Sequence, residues 1–331
     1  MLHSKNNHKK AFTMIELIFV IVIMGIIGKF GFEFLAQAYK SFIFSSINNR
    51  LQANSATAVE FISSRLQDRI KASTIARETN AAIVPPFTPL SDYFNQTAPI
   101  IEWVGVEMDG FRGNSDAGIP NLPNWSGIID LNATLTNAAQ LFSPATDTTK
   151  TNALIQVLSN TNSSINDAAI YFVDPDSLDS NWGWDANVTR FLTQVGVAGS
   201  ENAIHPIKST VNISTFLPVT SNSAVGNSFT GVEAFEYYQL AWSAYAVGIN
   251  NWNAATKTGT LTLWYDYQPW KGDTYLMQSD GVTPTKSSII MEDVSSFRFI
   301  AVESLIKIQV CVKSDLITNE EYSICKEKTV F

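Results

Sequence analysis

The sequence predicts an α+β chain: a long N-terminal α-helix, membrane-embedded over its first half, packed on a globular head rich in antiparallel β-structure. Three observations carry that reading. A cationic stub at residues 1–11 is followed by an apolar run from Phe12 to Gly28 broken by one acid, Glu16. Apolar residues at helical spacing then continue toward residue 80. From Gly231 onward, strand-length stretches of β-branched and aromatic residues alternate with turn signals.

The chain has 331 residues, 45% of them apolar and 16% charged, so it can bury a sizeable core and is not a disordered chain. Lysine and arginine number 22 against 30 acids, a net charge of −8. That balance argues against a nucleic-acid-coating surface, which needs clustered cations. Lys5, Lys9 and Lys10 sit in the stub without an acid, leaving 19 cations against 30 acids for the rest.

The stub and apolar run have the order of a secretory signal, yet the small residue, Ala11, precedes the run instead of following it. Cutting there would keep the apolar segment. Phe12 to Gly28 is 17 residues, short for a spanning helix, but Phe30, Phe32, Phe34 and Leu35 extend it past Lys29, so the expected span is 12–35. Glu16 within it costs about 2.5–3.5 kcal/mol at bilayer depth. Residues 36–80 are read as an amphipathic continuation into the head, with Phe42, Ile43, Ile47, Leu51, Ala58, Phe61, Ile62, Leu66 and Ile70 recurring at spacings near three and four, a helical pattern through about Glu78 and Pro85, Pro86 and Pro89 closing it. Gly25, Gly28 and Gly31 weaken the membrane half and predict bending there on assembly. Residues 81–331 form the head. Its first part, to about residue 230, reads as short strands between polar loops, including IIEWVGVEM, ALIQVL and AAIYFV. Its second part reads as an antiparallel sheet with aromatic cross-strand pairs.

The stretch KKA-FTMIELIFVIVIMGIIG resembles the cleavage and methylation signal of type IV prepilins and type II secretion pseudopilins: basic leader, small residue, Phe, Thr, a Glu four residues after the Phe, then an apolar helix. The resemblance implies removal of a 1–11 leader between Ala11 and Phe12 by prepilin peptidase and N-methylation of Phe12. It also implies a pilin-like fold and a structural, non-enzymatic role. The implied location is single-pass in the bacterial inner membrane with a periplasmic head, then a periplasmic or surface filament. The implied partners are the peptidase, other pilin or pseudopilin subunits, the assembly platform and membrane lipid. Ala11 stands where the family prefers Gly, and Glu33 where many members have Pro. Glu16 would be neutralised by the free amine of a neighbouring subunit's Phe12. The alternative is an uncleaved single-span binding protein or adhesin, its Glu16 snorkelling or protonated. A second resemblance links LTLWYDYQPW and IIMEDVSSFRF to the late hairpin of J-type minor pseudopilins and W-type minor pilins, and with the length it implies a large minor subunit.

Other residues bear on chemistry. Cys311 and Cys325, 14 apart, read as one disulfide worth about 3 kcal/mol that staples the last strand, with reduced thiols as the alternative. Pilins frequently carry such a loop. His205 reads as a loop histidine; no G-x-S-x-G pattern accompanies it. No cofactor is expected, apart from calcium as a weak candidate at Asp174, Asp176, Asp179 and Asp185. These have the density of a calcium loop but fail the EF-hand register, and a solvated turn explains them as well. Asn132 and Asn187 each have Asp two before and Thr two after, resembling the bacterial N-glycosylation acceptor, with chance as the competing account. Trp182, Trp184, Trp242, Trp252, Trp264 and Trp270 read as core and cross-strand packing, with a ligand-lining surface as the alternative and NNWN and PWKGD as the candidates for exposed contacts.

Overall fold

The computed structural model describes residues 13–79, 86–93, 98–113, 122–173, 181–184, 202–219, 228–302, 305–314 and 322–331. The chain divides into two compact units at Ala53/Asn54. The first unit is helical. Helix α1 (Met14–Gln67) begins in it and runs unbroken through Gly25, Gly28 and Gly31, where an added Cβ would meet nothing within 4 Å. Its apolar side chains from Met14 to Ile27 are exposed, and it is long and apolar enough to cross a membrane.

In the second unit the helix is amphipathic. Ala58, Val59, Ile62 and Leu66 are buried at spacings of three and four, with Ser63 tucked among them and its hydroxyl donating to the Val59 carbonyl at 2.7 Å. The helix ends at Gln67, well before the expected residue 78. Long-range pairing stops it: Ile70 N–H donates to the Val104 carbonyl at 2.9 Å, and Val106 N–H donates to the Asp68 carbonyl at 2.7 Å. Ile70 therefore belongs to the core between the sheets, and a strand, β1 (Ile75–Arg77), occupies what periodicity assigned to helix.

The remaining elements are β2 (Phe87–Pro89), β3 (Ile100–Gly105), α2 (Met108–Arg112), β4 (Leu141–Phe142), α3 (Thr148–Leu158), β5 (Ala169–Phe172), β6 (Ile204–Ser209), β7 (Thr215–Pro218), β8 (Tyr238–Ala241), β9 (Ser243–Asn253), β10 (Thr258–Tyr267), β11 (Lys286–Val302), β12 (Leu305–Lys313) and β13 (Ser323–Val330). They form two antiparallel sheets, ordered β13-β12-β11-β10-β9-β3-β1-β2 and β4-β7-β6-β5-β8. The C-terminal strands lie where alternation placed them. ALIQVL differs, being the body of α3, because Asp147 caps that helix, accepting from Thr149 N–H at 3.0 Å and Lys150 N–H at 3.1 Å. IIEWVGVEM splits between β3 and the start of α2.

One core cluster lies around Val104, Ile204, Trp264 and Trp270, and a second around Trp125, Ile155, Phe216 and Tyr238. Five of the six tryptophans singled out are buried, which agrees with the packing role. Trp270 of PWKGD is among them, its indole donating to the Asp167 carbonyl at 3.0 Å, so that turn is not an exposed contact; Trp252 of NNWN is exposed. Buried Asp266 ties the segment after α3 to the large sheet, accepting from Ser163 Oγ at 2.5 Å, Asn162 Nδ2 at 3.0 Å and Lys286 Nζ at 2.7 Å.

Candidate functional site

Ala11 and Phe12 lie outside the described residues. Thr13 stands immediately before helix α1 and Glu16 at its third position, the T-x-x-E spacing of a capping box. The Glu16 carboxylate accepts from Thr13 N–H and from Thr13 Oγ1, both at 3.0 Å. An acid here also complements the positive end of the helix dipole. Glu16 is therefore not without a partner inside its own chain, a role the sequence reading missed although the spacing carries it. The hydrogen bonds are local and exposed, and leave the carboxylate accessible from outside the helix.

Cys311 and Cys325 are directly opposite each other on β12 and β13 and are disulfide-bonded. The bond staples an edge strand that packing holds weakly, since β13 alternates between exposed and half-buried residues until Val330. Asn132 is exposed in a turn whose Asp130 carboxylate accepts from Asn132 N–H at 3.0 Å and Ala133 N–H at 3.1 Å, so that aspartate already has a structural role. Asn187 and all four calcium candidates, Asp174, Asp176, Asp179 and Asp185, lie outside the described residues. Among the described residues no cluster of three or more His, Cys, Asp or Glu could hold a metal. His205 is a strand residue, not a loop one: it is buried in β6 against Phe172, its ring 5.5 Å away, and burial pulls it down to about 4. It is neutral at ordinary pH.

The head carries a cleft of about 590 Å³, which sequence reading did not find. Phe61 and Arg65 of α1 and Asp68 just past its end form one wall, Glu107, Asp109 and Arg112 another, and Tyr245 and Tyr265 line it from the large sheet. Gly105 permits that arrangement: a Cβ there would come within 2.5 Å of the Tyr245 ring. Arg65 lies over Phe61 at 5.7 Å and Tyr245 at 5.9 Å, and Arg112 pairs with Asp68 at 3.5 Å. Buried Glu107 caps α2, its Oε1 accepting from Gly110 N–H at 2.7 Å and its Oε2 from the Trp125 indole at 2.7 Å. Burial pushes its carboxyl up to about 7. Both oxygens are engaged, so it acts as a structural cap under the cleft; an acid so shifted is otherwise a common mark of proton transfer.

A family model described as the prokaryotic N-terminal methylation motif matches residues 6–28. No curated protein and no solved structure is detectably similar to the chain. The match covers residues 6–11 of the stub, the Ala11/Phe12 junction, Thr13 and Glu16, together with the apolar run to Gly28. The amino terminus of this chain is thus a prepilin-type methylation signal, of the kind that type IV prepilins and pseudopilins carry.

Proposed function

We propose that the chain is a structural, non-enzymatic subunit, a minor pilin or pseudopilin, of a type IV pilus or type II secretion-like filament. Prepilin peptidase cuts between Ala11 and Phe12 and methylates the new amine of Phe12. The precursor is held in the bacterial inner membrane by α1 with its head in the periplasm, and assembly packs the N-terminal helices into a filament core. The methylation signal, with Glu16 at the start of an exposed apolar helix, is the observation that carries this reading.

A carboxylate moved from water into a packed apolar bundle loses solvation worth several kcal/mol, and one amide and one hydroxyl donor do not return it. A neighbouring subunit's free Phe12 amine supplies the missing positive charge. The disulfide supports the periplasmic placement, because such bonds persist in oxidising compartments. The head cleft, lined by aromatic and charged side chains, supports a second reading in which an uncleaved, anchored chain acts as a binding protein.

The amino terminus separates the two. Mass analysis of the chain purified from membranes containing the peptidase should find N-methyl-Phe12 as the first residue; an intact Met1 would remove the filament reading. Glu16→Val should leave the protein in the membrane and abolish its incorporation, and unchanged incorporation would count against the amine pairing.

A further inference from the structure

Helix α1 carries a second pair of charges inside its apolar half. Lys29 and Glu33 are exposed, at 74% and 62%, and their nearest charged atoms are 3.9 Å apart, at the limit of an ion pair. Lysine before glutamate at this spacing is the poorer orientation for support within a helix. The pair is therefore weakly made in the isolated chain, and moving it into an apolar bundle would require better partners.

Its spacing repeats that of the first pair. Phe12, cationic once its amine is freed, precedes Glu16 by four residues, and Lys29 precedes Glu33 by four residues in the same positive-to-negative order. Four residues are about 6 Å along a helix. A second helix slid by that step, so that one amine meets the other's Glu16, carries Lys29 of one chain to the level of Glu33 of the other. The second pair follows the first by 17 residues, which turns it by about 100° around the axis, the width of one helix-contact stripe. Ile15, Phe19, Val22, Ile26 and Phe30 run between the two pairs at spacings of four, three, four and four, and all five are exposed.

The geometry points to Lys29 and Glu33 as a second charge register between copies of this chain, set by the same four-residue slide that pairs Phe12 with Glu16. This rests on the filament reading and adds to it a contact surface: an apolar stripe bordered by two charge pairs of matched spacing, whose partner is the helix of a second copy. In the bundle each Lys29 leaves its own Glu33 and meets the neighbour's.

Single-cysteine additions to the full-length chain test it. Lys29→Cys and Glu33→Cys chains are co-expressed with the peptidase and oxidised in membranes, alongside Phe19→Cys with Ile23→Cys, which samples the same slide at uncharged positions. Both mixed pairs should cross-link several-fold more than either chain with itself. Cross-linking of 19 with 23 but not of 29 with 33 overturns the proposal and leaves the filament reading standing. Absence of both, with Phe12 not the mature first residue, removes the filament reading as well. A charge test in trans completes it: Lys29→Glu and Glu33→Lys chains should each incorporate poorly alone and recover when expressed together, a recovery that an ion pair within one helix cannot produce.

Discussion

Glu16 and Glu102 are both acids set in apolar sequence, and the chain treats them in opposite ways. Glu16 sits exposed at the start of α1, held by the backbone and hydroxyl of a residue three positions away. Glu102, in the middle of β3, is fully buried. It is met by Arg77 of β1, bonded through Nε and through Nη2 at 3.4 Å, and by the Tyr267 hydroxyl of β10 at 3.2 Å. Arg77 also donates to the Trp184 carbonyl at 3.3 Å and lies over the Phe87 ring. Burial pushes the Glu102 carboxyl up, and Arg77 opposes that shift. The head neutralises its buried acid within the fold. The helix answers its acid only with a local, exposed cap.

Removing partners from each region tests that contrast. The largest effect is expected from Arg77→Met, which strands the Glu102 carboxylate in the core. Denaturant unfolding of the head should show a loss of roughly 3–5 kcal/mol, while Glu16→Val should leave the same transition unmoved. Comparable loss from both would erase the distinction.

Glu107 gives the contrast a pH dependence. Its carboxyl is raised from 4.5 to about 7 in the folded head, so folding takes up a proton across that interval. Stability from this group is full below about 4.5 and falls as pH rises toward 7, by about 3 kcal/mol in all. Glu107→Gln should flatten that part of the stability profile, and an unchanged slope would show that the acid is solvated. Next, Cys311→Ser with Cys325→Ser should cost about 3 kcal/mol. Hydrogen exchange should rise first along β13, since its packing is thin. The smallest effect is expected from Asp147→Ala, which removes the α3 cap at about 1 kcal/mol and should appear as faster exchange at Thr149 and Lys150.

The N-terminal region was legible because its information is local. Order of residue types and a long apolar run define a helix whatever surrounds it, although the T-x-x-E cap at its start went unread. The C-terminal strands were legible for a related reason: alternation with period two survives in a sheet that buries one face, as in β12, where Ile306, Ile308, Val310 and Val312 are buried. Ile70 misled, since it continued the helical spacing of Ile62 and Leu66 while its backbone was claimed by Val104. ALIQVL misled in the other direction, its helix being announced by Asp147, six residues before the apolar stretch.

The amino-acid order alone thus determined the methylation signal, the apolar helix and the antiparallel C-terminal sheet, because each depends on neighbours within a few residues or on one repeated spacing. Only the tertiary structure decided where α1 stops, that β3 enters the large sheet between β1 and β9, that Arg77 answers Glu102, and that a cleft opens beside Arg65. Those outcomes turn on which distant backbone or charge reaches a given residue first, and buried polar groups accept a distant partner sooner than none.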